Sequence, residues 1–129
     1  KKKHKNTIGL ETIDFQLQLF DQLPMQTQIE LLKADYNSDL KTYDTLLQCY
    51  LDENLDQLAI LMNAETEAYP EFKELLLVKR NQSWITPMRS QMAKESTFFA
   101  VGAGHLGGAQ GVIALLSEAG YTVTAIKQD

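Results

Sequence analysis

A histidine in a glycine-rich stretch near the end of the chain is the residue whose surroundings point most directly to chemistry. His105 stands in the sequence VGAGHLGG, with Gly102 and Gly104 before it and Gly107 and Gly108 after it. Glycines allow a backbone to turn tightly and to approach a ligand, and a neutral imidazole presented there can bind a metal ion or transfer a proton near neutral pH. The alternative is a histidine that is hydrogen-bonded inside a packed loop.

The same glycines also match the pattern G-x-G-x-x-G, which is typical of dinucleotide-binding loops. The pattern runs from Gly102 to Gly107, follows the apolar run Phe98–Val101 and is followed about 22 residues later by Asp129, where a ribose-binding acid is found in such folds. A dinucleotide unit normally opens a domain with several more strand–helix units, and the sequence offers none after this one. Dinucleotide binding is therefore the less favoured interpretation.

The elements that position His105 are predicted from apolar patterns. Three short apolar runs are typical of strands, namely Ile8–Leu10, Thr97–Val101 and Tyr121–Ile126. Between the second and third runs, the glycine loop leads into a helix from about Ala109 to Ala119, which Gly120 ends. These runs predict that the carboxyl-terminal part is a β-α-β unit with adjacent, parallel strands joined by a right-handed crossover.

Between the first two runs the apolar residues recur at helical spacing. The first such helix begins at Glu11 or Thr12 and carries an apolar stripe that is predicted to face the core, made of Ile13, Leu17, Phe20 and Leu23. The order of elements predicts an α/β fold, in which a small, mostly parallel sheet has a large helical insertion between its first strand and the terminal β-α-β unit.

Composition and charge exclude several classes of protein. A chain of 129 residues is long enough for one domain with its own core. The net charge of -5 argues against a nucleic-acid partner, because a phosphate backbone is bound by clustered basic residues and the only basic run is the terminal Lys1–Lys5.

Cys49 is the single cysteine, so an internal disulfide is impossible. No apolar run approaches the roughly 18 residues of a transmembrane helix, so no transmembrane segment is expected.

Three separated stretches give the chain a family resemblance. They are Ile8–Thr12 followed by Gln16, then Lys79–Trp84, then Val101–Gly108 followed by Gly111 and Gly120–Val123. In this order, and over nearly the whole chain, they resemble the TraB/GumN family, which includes relatives of the Tiki metal-dependent proteases.

The resemblance implies an α/β domain with two G-x-x-H motifs and acidic residues around a site for a divalent metal ion. The second G-x-x-H motif matches Gly102–His105, the acid of a G-L-E motif matches Glu11, and an R-N motif matches Arg80 and Asn81. By this resemblance His105 and Glu11 are the predicted metal ligands, and Arg80 and Asn81 are the predicted catalytic residues. The guanidinium of Arg80 could orient a peptide carboxylate or stabilise an oxyanion.

The chain departs from the family pattern in two places. Lys79 stands where an acid often precedes the arginine, and the first G-x-x-H motif has no counterpart, because the only other histidine, His4, follows Lys3 and lacks the glycine. Residues 1–129 are thus expected to be either a single domain or the carboxyl-terminal half of a larger family domain. One histidine and one carboxylate are fewer than the three protein ligands of a typical catalytic zinc site, so weak metal binding is expected.

The predicted function is that of a metal-dependent hydrolase, peptidase-like and incomplete in this chain, with a peptide or protein as its substrate. A non-enzymatic module that binds a peptide or sequesters a pheromone is the alternative, because TraB itself is associated with shutting down a peptide pheromone. A dinucleotide-binding fragment is the third hypothesis. The compartment is not readable from these residues, and an extracytoplasmic location of the full-length protein stays open.

Purely structural roles stay open for the same residues. Glu11 could be a first-turn carboxylate that the helix dipole favours. Arg80 could be the ion-pair partner of Glu11 or Glu74, and Trp84 could belong to the core.

Overall fold

Helices form all the regular secondary structure in the described part of the chain, which is residues 6–36 and 40–126 of the computed structural model. The α-helices, in chain order, are α1 (Ile13–Asp21), α2 (Met25–Tyr36), α3 (Leu40–Leu51), α4 (Leu55–Thr66), α5 (Pro70–Lys73), α6 (Lys79–Met92) and α7 (Val112–Glu118). A π-helical turn, Glu74–Val78, joins α5 to α6, and a short 3₁₀ turn, Ala103–His105, lies in the glycine loop. None of the helices in these residues is long and apolar enough to cross a membrane.

The predicted α/β fold with a small parallel sheet is wrong, because the described residues contain no strand. The runs 8–10, 97–101 and 121–126 are not helical, but no ladder of hydrogen bonds joins them. Instead, Phe99 and Val101 pack individually against a helical core, while Phe98 is 90% exposed. An apolar run becomes a strand only where a second strand pairs with it, and the described residues do not supply one. The terminal β-α-β unit is wrong for the same reason.

Two predicted helix boundaries are confirmed by their local chemistry. Thr12 is the N-cap of α1, and its hydroxyl accepts a hydrogen bond from the backbone N–H of Phe15 at 3.1 Å. Gly120 has φ +92° and ends α7, with its N–H bonded to the carbonyl of Ser117 and the N–H of Tyr121 bonded to that of Leu116. This is the Schellman arrangement, which favours glycine.

The main core lies between α6 and α7. Trp84, Met88 and Val112 are buried there. Their partly buried neighbours come from both helices and from the non-helical segments, and they are Leu10, Ile85, Met92, Phe99, Val101 and Leu116. Since Trp84 is in the second turn of α6, this core fixes the helix face from which the predicted site residues extend.

The apolar stripe of α1 is mostly exposed, contrary to the prediction that it faces the core. Ile13 and Leu17 are 74% and 63% exposed, whereas Leu19 and Leu23 are buried. The spacing correctly identifies an amphipathic helix, but spacing does not determine what covers the apolar face, and no described element covers most of this one.

The glycine loop packs closely against α4. A Cβ atom at Gly104 would lie 2.7 Å from the sulfur of Met62, and one at Gly107 would lie 2.8 Å from the carbonyl oxygen of Leu55 and 3.1 Å from Cβ of Ala59. At Gly107 the obstacle is backbone, which cannot swing away. The lack of a side chain at these two positions therefore allows the loop to pack against α4.

Alanine substitutions should separate the packed glycine positions from the open ones. We expect Gly107→Ala to lower the free energy of unfolding by about 1–3 kcal/mol, the usual cost of overpacking, because its Cβ would meet the backbone of Leu55. Gly102→Ala is the control: its φ is −62°, and the nearest atom to its Cβ is Cδ2 of His105 at 3.8 Å. Urea denaturation followed by circular dichroism measures both, and equal effects would contradict the packing described here.

Candidate functional site

The residues that the sequence singled out come together around the indole of Trp84. Glu11, which lies just before the N-cap of α1, contacts Arg80 and Trp84 although it precedes them by 69 and 73 residues. The ring centroids of Trp84 and His105 lie 4.6 Å apart, and Asn81 contacts His105 directly. We call these five residues the Trp84 cluster.

The carboxylate of Glu11 is the acceptor at the centre of the cluster. Its Oε1 accepts hydrogen bonds from Arg80 Nε at 2.9 Å and from Trp84 Nε1 at 2.8 Å. Its Oε2 accepts from Arg80 Nη2 at 3.0 Å and from Gln16 Nε2 at 3.1 Å. The side chain of Glu11 is only 5% exposed, so this carboxylate is enclosed by donors.

The guanidinium of Arg80 is fixed from three directions. Besides its bidentate ion pair with Glu11, Nη1 donates to the carbonyl of Leu76 at 3.0 Å, and Cζ lies 5.2 Å from the centroid of the Trp84 ring. Leu76 belongs to the π-helical turn before α6, and such turns are frequent at functional sites. The ion pair with Glu11 is one of the two that the sequence left open for Arg80.

These contacts decide the charge of Glu11. Burial of the carboxyl group raises its pKa, but the hydrogen bonds from Arg80, Gln16 and Trp84, together with the positive charge of Arg80, outweigh burial and hold the pKa of Glu11 below its usual value of 4.5. Glu11 is therefore ionised at neutral pH.

His105 ends the 3₁₀ turn of the glycine loop and is half-buried against Trp84. Burial lowers the pKa of His105 to about 4, the positive charge of Arg80 acts in the same direction, and the negative charge of Glu11 opposes them. The imidazole is therefore neutral at pH 7, the form in which it can bind a metal ion.

Asn81 contacts two separate parts of the glycine loop, at Gln110 and at His105. Asn81 is 3% exposed, and among the residues that the structure describes it is the one polar residue that is buried. Its Nδ2 donates to the backbone carbonyl of Gln110 at 2.8 Å, and its Oδ1 lies 2.6 Å from Nδ1 of His105. A single side chain on α6 thus fixes both the backbone of the loop and the imidazole.

Nε2 of His105 is the ring nitrogen available for chemistry. Within the described residues, every buried side-chain nitrogen or oxygen has a hydrogen-bond partner. Nε2 makes no hydrogen bond there, because the imidazole is bonded through Nδ1 alone. It follows that Nε2 is not fully buried.

The described residues fit a metal ion only in part. They contain no group of three or more His, Cys, Asp and Glu side chains that could hold one. His105 suits a metal ion, because its Nε2 is neutral and accessible. Glu11 does not suit one as placed, because both of its oxygens accept hydrogen bonds and a guanidinium lies against them. It would have to leave Arg80 before it could become a ligand.

The geometry of the loop argues against dinucleotide binding. Gly104 and Gly107 face α4 rather than an open cradle, and no strand precedes the loop in the described residues. The cleft beside the loop, lined by Met62, Lys73 and Asn81 among others, has a volume of about 120 Å³, whereas ligand pockets usually measure about 300–1,000 Å³. The acid predicted to bind ribose, Asp129, and the second histidine, His4, lie outside the described residues.

Sequence reasoning missed the central part that Trp84 plays. It treated Trp84 as a core residue, which is correct, but the indole N–H also donates to Glu11. The spacing held a signal for this, because Arg80 and Trp84 are four residues apart and so share one face of a helix. Gln110 was missed for a different reason, since it contributes a backbone carbonyl rather than its side chain.

Acid should weaken the fold through two members of the cluster. Because the pKa of His105 falls from 6.5 to about 4 on folding, the unfolded chain binds this proton first, and the free energy of unfolding decreases as the pH drops from 6.5 to about 4. Glu11, whose pKa is lowered from 4.5, contributes stability above pH 4.5 that is lost as the pH falls through its folded-state pKa.

Urea denaturation at several pH values tests the histidine part of this prediction. We expect His105→Ala to lose less stability than the wild type between pH 6.5 and about 4. Equal losses in the wild type and His105→Ala would show that the pKa of His105 is not lowered by folding.

Comparison with known proteins agrees with the family resemblance. The model of the TraB/PrgY/gumN family matches residues 1–125, which include all five residues of the Trp84 cluster. No curated protein and no solved structure matches the chain. The interpretation as a carboxyl-terminal half stays a prediction. Because the match covers nearly the entire sequence, the chain belongs to the TraB/PrgY/gumN family.

Proposed function

We propose that this chain contributes His105 to a metal-dependent hydrolase that acts on peptides. The observation that carries the proposal is the state of the imidazole: it is neutral and fixed through Nδ1, and within the described residues its Nε2 is neither hydrogen-bonded nor fully buried.

The lowered pKa of His105 favours a metal ligand over a general base. A ligand must be deprotonated, and a pKa of about 4 removes competition from protons at neutral pH. A general base works best when its pKa lies near the working pH, and the pKa of His105 is well below that. A bound divalent ion would supply a water molecule of lowered pKa as the nucleophile. His105 would be one ligand of about three, and the others would come from outside the described residues or from a rearranged Glu11.

Arg80 can contact a substrate while it remains paired with Glu11. Of its five N–H groups, one on each of Nε, Nη1 and Nη2 is bonded to Glu11 or Leu76. One N–H on Nη1 and one on Nη2 are left, and the side chain is 16% exposed. Two free N–H groups of one guanidinium can orient a peptide carboxylate or stabilise an oxyanion. In this proposal Glu11 holds Arg80 in place, and Asn81 acts on His105.

Peptide cleavage with and without metal tests the proposal. The chain would be incubated with a mixture of peptides in Mn²⁺, Co²⁺ or Zn²⁺ and in EDTA, and the products read by mass spectrometry. We expect metal-stimulated cleavage that His105→Ala abolishes and that the control Glu65→Gln, at an exposed residue of α4, keeps. Cleavage that survives both EDTA and His105→Ala would contradict the proposal.

A peptide-binding module without catalysis is the second candidate. It is favoured by the occupied carboxylate of Glu11, and by the lack of a three-ligand group in the described part of the chain. Peptide binding that persists in EDTA and in His105→Ala, with no cleavage under any condition, would support this candidate instead.

A further inference from the structure

We infer that Asn81 is a positioning residue that places the proton of His105 on Nδ1 and leaves Nε2 unprotonated toward solvent. The inference concerns the state of His105 itself. Its use for metal binding rests on the proposed function, but the position of the proton can be measured without any metal ion.

The backbone carbonyl of Gln110 fixes the orientation of the Asn81 amide. A carbonyl oxygen only accepts hydrogen bonds, so the amide atom 2.8 Å from it must be the donor Nδ2. The opposite orientation would place two oxygens against each other in a buried site, because Asn81 is 3% exposed. The amide oxygen Oδ1 therefore faces His105.

The orientation of the amide in turn determines the tautomer of His105. Oδ1 lies 2.6 Å from Nδ1, and an amide oxygen at this distance requires a proton on the nitrogen. A neutral imidazole carries only one N–H, so Nε2 has a free lone pair. The ring of Trp84, 4.6 Å away and tilted by 47°, packs against the imidazole and restricts its rotation.

Asparagine is the residue that can do both tasks. An aspartate would accept from His105 but could not donate to Gln110, and a leucine of similar size could do neither. Histidines that bind metal ions almost always donate their other N–H to a nearby acceptor, which fixes the ring and its tautomer. Here that acceptor is a side chain on α6, which the buried Trp84 and Met88 anchor in the core.

The test is the ¹⁵N NMR spectrum of the imidazole at neutral pH, without metal, in the wild-type chain. The chain has two histidines, so a His4→Gln variant assigns the signals of His105. Three further variants follow: Asn81→Asp keeps the acceptor, Asn81→Leu removes it, and Gln82→Leu is the matched control. Gln82 is the next residue on α6 and its side chain also approaches Gln110, at 3.4 Å between Nε2 and Oε1.

We expect His105 to be protonated at Nδ1 in the wild type, in Asn81→Asp and in Gln82→Leu, and to shift toward the Nε2–H tautomer in Asn81→Leu. A wild-type spectrum with the proton on Nε2, or an Asn81→Leu spectrum identical to the wild type, would overturn the inference. If Asn81→Leu does not fold, the wild-type and Asn81→Asp spectra decide. Failure to bind Zn²⁺ in a separate titration would count against the proposed function and would leave the tautomer result as it stands.

Discussion

Replacement of Glu11 with glutamine is expected to lower the free energy of unfolding by about 3–5 kcal/mol, as removal of one partner from a buried ion pair does. The guanidinium of Arg80 would then lose its counter-charge in a site where its side chain is 16% exposed. Glutamine would also offer one acceptor oxygen, where the carboxylate accepts from Arg80, Trp84 and Gln16 through both of its oxygens. Urea denaturation followed by circular dichroism measures the change.

Glu65→Gln is the control for this substitution. Glu65 is an exposed carboxylate of α4, and surface substitutions of this kind usually change stability by less than about 0.5 kcal/mol. If Glu11→Gln cost no more than Glu65→Gln, the ion pair with Arg80 would not stabilise the fold, and the carboxylate would be free for another use.

Loss of the Trp84 side chain should be equally severe. We expect Trp84→Ala to lower the free energy of unfolding by about 3–5 kcal/mol, the usual range for a buried aromatic residue. Trp84 is 4% exposed, and it packs with Met88 and Val112 in the core. Trp84→Phe keeps most of the bulk and loses the hydrogen bond to Glu11, so a smaller loss of about 1.5–3 kcal/mol is expected. Urea denaturation monitored by circular dichroism compares the two variants.

The double variant of Glu11 and Trp84 tests whether the two residues act through one contact. Because Trp84→Phe and Glu11→Gln affect the same hydrogen bond, the loss in the double variant should be smaller than the sum of the two single losses. Strictly additive losses would show that the indole and the carboxylate stabilise the fold independently.

Local signals in the sequence predicted two helix boundaries well and predicted strands badly. The start of α1 at Thr12 and the stop at Gly120 depend on groups a few residues apart, so residue type and spacing suffice to predict them. The run Thr97–Val101 is apolar enough for a strand, but pairing depends on a partner that is distant in sequence. In the described residues Phe99 and Val101 are buried by α6 and α7 instead.

The residues selected from the sequence lie together in the structure, but their contacts could not be predicted. Glu11, Arg80 and His105 were selected from three separated motifs, and the structure brings all three to Trp84. Whether Glu11 faces a metal ion or the guanidinium of Arg80 depends on side-chain directions that spacing does not encode. The two hydrogen bonds of Asn81 were hidden for the same reason, because one of them ends on a backbone carbonyl.

Titration of the wild-type chain with Zn²⁺, followed at the imidazole nitrogens of His105 by ¹⁵N NMR, tests most directly whether His105 offers Nε2 to a metal ion. The expected result is a shift of the Nε2 signal with retention of the proton on Nδ1, and loss of Zn²⁺ binding in His105→Ala but not in Glu65→Gln. Zn²⁺ binding that leaves both nitrogens of His105 unchanged, or that persists in His105→Ala, would contradict the claim.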